Sequence, residues 1–178
     1  EGVQLYNIRG KNAPLPQAIP LFSQLEEGED CPAIVIDRIP DDLADLKAFF
    51  QEQSLQAVYF KNELDKAYYL TGYGSRDQYA KLYKTLYQFP EFDIRHKLSQ
   101  LSDYLKIPQV LLIKMIQIFQ ELGFVQIENG IMTVNKDAEK NEIASSSIYQ
   151  DLVQTVKDQE LMALGSVQEI YDYLTESI

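Results

Sequence analysis

Apolar residues fall in short β-branched or aromatic runs at residues 3–8 (Val-Gln-Leu-Tyr-Asn-Ile), 33–37 (Ala-Ile-Val-Ile-Asp) and 57–60 (Ala-Val-Tyr-Phe), each bounded by turn-forming residues. This pattern predicts three short strands. The second run is apolar at nearly every position and so belongs in a sheet covered on both faces. Between it and the third, Pro40-Asp41-Asp42 opens a helix over residues 42–52, with Leu43, Leu46, Phe49 and Phe50 spaced for one face. A fourth strand is predicted near Ala67–Leu70. The turn Thr71-Gly72-Tyr73-Gly74 then leads to Ser75, the N-cap of a helix through Tyr87 whose inner stripe is Tyr79, Leu82, Tyr83, Leu86 and Tyr87. A strand, helix, strand unit with a short crossover makes a small, mostly parallel α/β sheet domain. Phe89-Pro90 marks its end, which divides the chain into residues 1–89 and 90–178.

The second half has a different rhythm. Asp93 caps a helix to Leu105, Pro108 starts another to Leu122, and Gly123 closes it. Phe124-Val125-Gln126-Ile127 and Ile131-Met132-Thr133-Val134 alternate around Asn129-Gly130, a strong hairpin signal. Two helices followed by a hairpin predict a winged-helix-like unit, in which the second helix can enter a nucleic-acid groove. From Ser145 or Ser146 a helix resumes, Gly165-Ser166 breaks it, and a last amphipathic helix carries Val167, Ile170, Tyr171 and Leu174. These C-terminal helices are expected to pack back on one of the two cores.

Charge narrows the range of partners. The formal net charge is −11, with 9 Lys+Arg against 13 Asp+Glu in residues 1–88 and 7 against 14 in residues 89–178. A duplex-binding surface needs clustered cations to replace phosphate counterions, so the overall field opposes a polyanion. The lone Cys31 excludes an intramolecular disulfide and a multi-cysteine zinc site, which favours the cytoplasm. No apolar run is long enough to span a bilayer, and the absence of an initiator Met suggests a chain cut from something longer or processed.

Candidate chemistry is sparse. His96 is the only histidine; it sits between Arg95 and Lys97 with no local nucleophile and reads as a solvated side chain. Asp41, Asp42 and Asp45 carry oxygen ligands suited to magnesium, but a helix N-terminus explains them more simply. The acidic run Glu26-Glu27-Gly28-Glu29-Asp30 reads as an exposed loop. Gly72-x-Gly74 lacks the Lys and Ser/Thr of a P-loop and the third glycine of a dinucleotide fingerprint. What remains is a candidate anion or nucleic-acid contact at Ser75, Arg76, Lys81 and Lys84, the most basic local stretch, with Lys114 the only basic residue on the second helix of the winged-helix-like unit. That helix is apolar almost all round, which favours packing or protein contact over base reading.

The stretch Met115-Ile116-Gln117-Ile118-Phe119-Gln120-Glu121-Leu122-Gly123-Phe124-Val125 resembles the C-terminal region of the RecJ family of single-stranded-DNA-specific exonucleases in its Gram-positive form. The early Leu5-Tyr6-Asn7-Ile8-Arg9-Gly10-Lys11-Asn12, the Arg76 helix with Tyr79 and Tyr83, and Lys140-x-x-Ile143-x-x-Ser146-x-x-Tyr149-Gln150 follow the same pattern in the same order. The resemblance implies a parent enzyme that degrades single-stranded DNA from the 5′ end with manganese or magnesium, in recombination and repair, through catalytic domains of the Asp-His-His phosphoesterase family. No Asp-His pair exists in this chain, so no catalytic residue carries over and no metal or other cofactor is expected here. The implied role is that of an accessory domain: docking the catalytic core, single-strand-binding protein or a helicase, stabilising the enzyme, or contacting single-stranded DNA directly.

Overall fold

The computed structural model describes residues 2–10 and 12–176. It divides into two compact units. The first is built from both ends of the chain, residues 1–67 and 157–178, and the second from residues 68–156.

In the first unit, β1 (Gln4–Asn7), β2 (Ala33–Arg38) and β3 (Ala57–Glu63) form a parallel sheet in the order β1-β3-β2. The connection from β2 to β3 runs through α1 (Ala44–Glu52), which uses the spacing of Leu46 and Phe50 to bury one face. Ile34 and Ile36 of β2 and Val58 and Phe60 of β3 pack on α1, on Met162 of α6 (Ser147–Leu164), and on Ile170 and Leu174 of α7 (Val167–Thr175). Val35 points the other way and is equally buried, with Leu21 bridged to it in parallel. The uninterrupted apolar run of β2 thus has the physical cause expected for it: both of its faces are dry. Cys31 is a free, buried thiol in this core.

The expected fourth strand does not form. Residues Tyr68–Thr71 make a single helical turn, α2, closed by the Gly72 N–H donating to the Tyr68 carbonyl at 2.7 Å. Tyr68 buries its side chain in the second unit's core, and a short apolar run has no periodicity with which to announce that choice.

The second unit opens with α2 and α3 (Arg76–Gln88), followed by β4 (Glu91–Asp93), α4 (Ile94–Leu105), α5 (Gln109–Glu121), β5 (Val125–Glu128), β6 (Ile131–Val134) and the first part of α6. The division of the chain therefore falls before α3, not at Phe89-Pro90. Tyr79, Leu82 and Leu86 of α3 share one core with Leu101, Leu105, Leu111, Leu112, Met115 and Phe119, so cutting after α3 would strip that core of a wall. The C-terminal helices also part company: Leu152 of α6 belongs to this core, whereas Met162 and α7 belong to the first.

The helix, helix, hairpin order is present, and β4, missed in the sequence, pairs antiparallel with β6 to give the order β4-β6-β5. The hairpin turn places Asn129 and Gly130 at φ 51° and 79°, both left-handed as a type I′ turn demands. Asp93 caps α4 by accepting the His96 N–H at 3.2 Å. The chain is thus a mixed α/β fold with one parallel and one antiparallel three-stranded sheet. Among the described residues, no helix is long and apolar enough to cross a membrane.

Candidate functional site

The groove of the second unit is assembled by three local devices. Ser75 forms a complete capping box: its hydroxyl accepts the Gln78 N–H at 3.1 Å, and its own N–H donates to the Gln78 side chain at 2.8 Å. Just before it, Gly74 lies at φ +90°, and any Cβ there would stand 2.5 Å from the Tyr79 ring. Only glycine lets that ring lie against the backbone while its hydroxyl donates to the Tyr73 carbonyl at 2.7 Å. Burial pushes the Tyr79 phenol well above the usual tyrosine range.

The third device holds the start of α6. Glu121, the last residue of α5, accepts the Ser146 hydroxyl (2.7 Å), the Ser147 hydroxyl (2.5 Å) and the N–H groups of Ser147 (2.9 Å) and Ile148 (3.0 Å). Ser146 in turn accepts the Tyr149 N–H at 3.0 Å, so the first turn of α6 and its Tyr149 ring are fixed from α5. Hydrogen bonds to the charged form, led by the Ser147 and Ser146 hydroxyls, bring the Glu121 carboxyl down to about 2.

The groove they assemble has a volume of about 820 Å³ and is floored by Tyr79, Tyr83, Phe119, Phe124 and Tyr149. Arg76 and the loop from Ala138 to Ala144, with Glu139, Lys140 and Glu142, complete its lining. The rings meet mostly edge to face: Tyr83 on Phe119 and Phe124, Tyr149 on Tyr79 and Tyr73. Tyr83 and Tyr87 are instead stacked, at 6.1 Å and 29° between planes, and the Lys136 ammonium lies 5.1 Å from the Tyr87 ring centre.

Of the five candidate contact residues, the structure brings only Arg76 to this groove. The Ser75 hydroxyl is engaged in its own cap. Lys81 and Lys84 are exposed on α3 and do not line the groove. Lys114 is half-buried, with its ammonium over the Tyr68 ring. One face of α5 is core, with Leu111, Leu112, Met115, Ile116, Ile118 and Phe119 buried, while Gln109, Ile113, Gln117 and Gln120 stay exposed. The site residues missed in the sequence are Lys140, Phe124 and Tyr149. The signal for Lys140 and Tyr149 lay in Lys140-x-x-Ile143-x-x-Ser146-x-x-Tyr149, and that for Phe124 in Leu122-Gly123-Phe124-Val125, stretches whose spacing had no assigned chemistry.

The other candidates have local partners. The exposed His96 ring stands 2.8 Å from the Asp93 carboxylate of its own helix cap, which lies below the usual aspartate range chiefly because of that hydrogen bond. Asp42 accepts the Ala44 N–H at 2.9 Å at the start of α1. Among the described residues, no three His, Cys, Asp or Glu side chains come together as a group that could hold a metal ion.

The two units differ sharply in charge. The first holds 7 Lys+Arg against 17 Asp+Glu, and the second 9 against 10, giving net charges of −10 and −1. Counting by sequence halves conceals this, because the acidic C-terminal residues, including Asp158, Glu160, Glu169 and Asp172, return to the first unit.

These features belong to a defined class. The family model for the C-terminal domain of the single-strand DNA-specific exonuclease matches residues 16–174, and the chain belongs to that family. It is similar to the single-stranded-DNA-specific exonuclease RecJ of Bacillus subtilis (strain 168), with 25% identity over 143 residues, which is 80% of this chain and 18% of that protein. The chain thus spans less than a fifth of the length of this relative. No solved structure matches it.

Proposed function

We propose that this chain is a non-catalytic accessory domain of a single-stranded-DNA-specific 5′–3′ exonuclease of recombination and repair, working in the cytoplasm, and that its acidic unit docks a basic protein surface. The first partner in this reading is the catalytic core of the same enzyme, where manganese or magnesium would act, with single-strand-binding protein or a helicase as further partners. The observation that carries the reading is the charge partition: a unit with 17 carboxylates against 7 cations favours a cationic partner and repels nucleic acid. Calorimetric titration of the chain with the separately produced catalytic core, and with the single-strand-binding protein's C-terminal tail, tests it. The expected result is salt-sensitive binding of the core that weakens in the triple variant Asp41→Lys, Asp42→Lys, Asp45→Lys. Absence of core binding sinks the proposal.

A second reading has its own support. The second unit, a helix, helix, hairpin arrangement read here as a winged-helix variant, is nearly neutral and presents rings beside Arg76 and Lys140, which suits direct contact with single-stranded DNA. Its second helix carries Lys114 as its one cation, half-buried over the Tyr68 ring, so groove reading by α5 is not part of this proposal.

A further inference from the structure

On α3 and at its C-cap, three aromatic side chains are left substantially in water: Tyr83 at 37% exposure, Tyr87 at 46% and Phe89 at 56%. Tyr83 and Tyr87 are one helical turn apart on α3 with their rings stacked, and Phe89 caps the end of the same helix. Tyr83 also lines the groove, so its stack with Tyr87 continues the ring-lined surface towards the helix end that Phe89 caps. Cations border it: Arg76 and Lys140 line the groove, and Lys136 sits over Tyr87.

The chemistry of this surface selects its ligand. A row of partly exposed rings stabilises flat, neutral π-systems by stacking, and interleaved cations suit a phosphate backbone. A groove of about 820 Å³ lies within the range that holds small organic ligands, about 300–1,000 Å³. Glu139 and Glu142 share the wall with Lys140, which keeps the local field close to neutral. The attraction must then come more from stacking than from charge, and a strongly acidic peptide gains little there. The unit's net charge of −1, against −10 in the other unit, makes this the part of the chain that least repels a polyanion.

We infer that Tyr83, Tyr87 and Phe89, with Arg76, Lys136 and Lys140, form an accessory stacking platform for a short run of single-stranded DNA bases, without base-specific reading. The inference rests on the second reading above and names its site. Because few phosphates are neutralised, the salt dependence is shallow: three cations correspond to a log–log slope of about −2.

The test uses the intact chain and fluorescence anisotropy with labelled oligothymidylate at several salt concentrations. Tyr87→Ala and Phe89→Ala, at positions largely in water, each weaken binding by about tenfold, the order expected for one lost base–ring stack. The double variant Arg76→Glu, Lys140→Glu flattens the salt slope by about 1.4 units. Tyr104→Ala removes a ring that is 67% exposed on α4, outside the groove, and leaves affinity unchanged. Circular dichroism of every variant checks that it is folded. The platform is overturned if oligothymidylate does not bind, if binding survives both ring variants, if Tyr104→Ala is equally damaging, or if only an acidic peptide binds in an Arg76- and Lys140-dependent way. Retained oligonucleotide binding without core docking would overturn the docking proposal alone, and the opposite result the platform alone.

Discussion

The carboxylate of Glu121 accepts both the N–H of Ser147, at 2.9 Å, and its hydroxyl, at 2.5 Å, so the end of α5 caps the start of α6. With Ser146 and Ile148 also donating, the carboxyl is held at about 2, below its ordinary 4.5. A depressed carboxyl pKa means that the folded state favours the charged form. Its contribution to stability is complete above about 4.5 and is lost as pH falls through about 2. Glu121→Gln should therefore lower the thermal midpoint at neutral pH, and the gap from the parent chain should close as pH drops from 4.5 towards 2. Melting curves across that range check it; a gap independent of pH would contradict the assignment.

At the other end of α6, the Arg9 guanidinium donates to the Met162 carbonyl at 3.1 Å and the Gly165 carbonyl at 2.7 Å. A planar fork answers two helix-end carbonyls at once, which a lysine ammonium does less well. Arg9→Met should destabilise the first unit by about 1–3 kcal/mol, the range for charge-assisted hydrogen bonds lost from a partly buried site. Arg9→Lys should recover only part of that loss. Urea titrations of the three proteins decide, and full recovery by lysine would show that charge alone suffices.

The hairpin turn offers a backbone test. Gly130 sits at φ +79°, and a Cβ there would meet the Arg95 side chain at 2.8 Å. Gly130→Ala should cost about 1–2 kcal/mol from left-handed strain. Truncating the neighbour as well, in the double variant with Arg95→Ala, should relieve the clash with the guanidinium end but neither the 3.0 Å approach of the remaining Cβ nor the strain. Equilibrium unfolding of the single and double variants separates the two contributions.

Much of this architecture is legible where a local rule decides structure. Ser75 and Asp93 announce their helices because a side-chain acceptor satisfies free amides within three residues. Asn129-Gly130 announces the hairpin because few residues adopt successive left-handed positions. Tertiary partners are harder to read. Tyr68 looks like part of a strand because nothing local reveals that its ring belongs to the second core. Likewise, Phe89-Pro90 looks like a domain end, although α3 shares its core with α4 and α5. The site suffers most: Arg76 stands out by charge, but its groove partners Phe124, Lys140 and Tyr149 lie some 48 to 73 positions away and meet it only in the folded core.

The groove itself should be most sensitive at Gly74. A methyl group there would stand 2.5 Å from the Tyr79 ring, on a backbone at φ +90°, so Gly74→Ala must displace the ring as well as strain the chain. Strain costs about 1–2 kcal/mol, and loss of the Tyr79 hydroxyl bond to the Tyr73 carbonyl costs about 0.5–1.5 kcal/mol more. The phenol reports which has happened. Burial raises the Tyr79 pKa above its ordinary 10, so the fold favours the neutral ring, and that contribution to stability is present below 10 and lost as pH rises through the raised value. In an alkaline absorbance titration of the phenolates, one late-ionising tyrosine should disappear in Tyr79→Phe and move towards 10 in Gly74→Ala. If the late phenol persists in Gly74→Ala, the ring has held its place, and the substitution acts through the backbone alone.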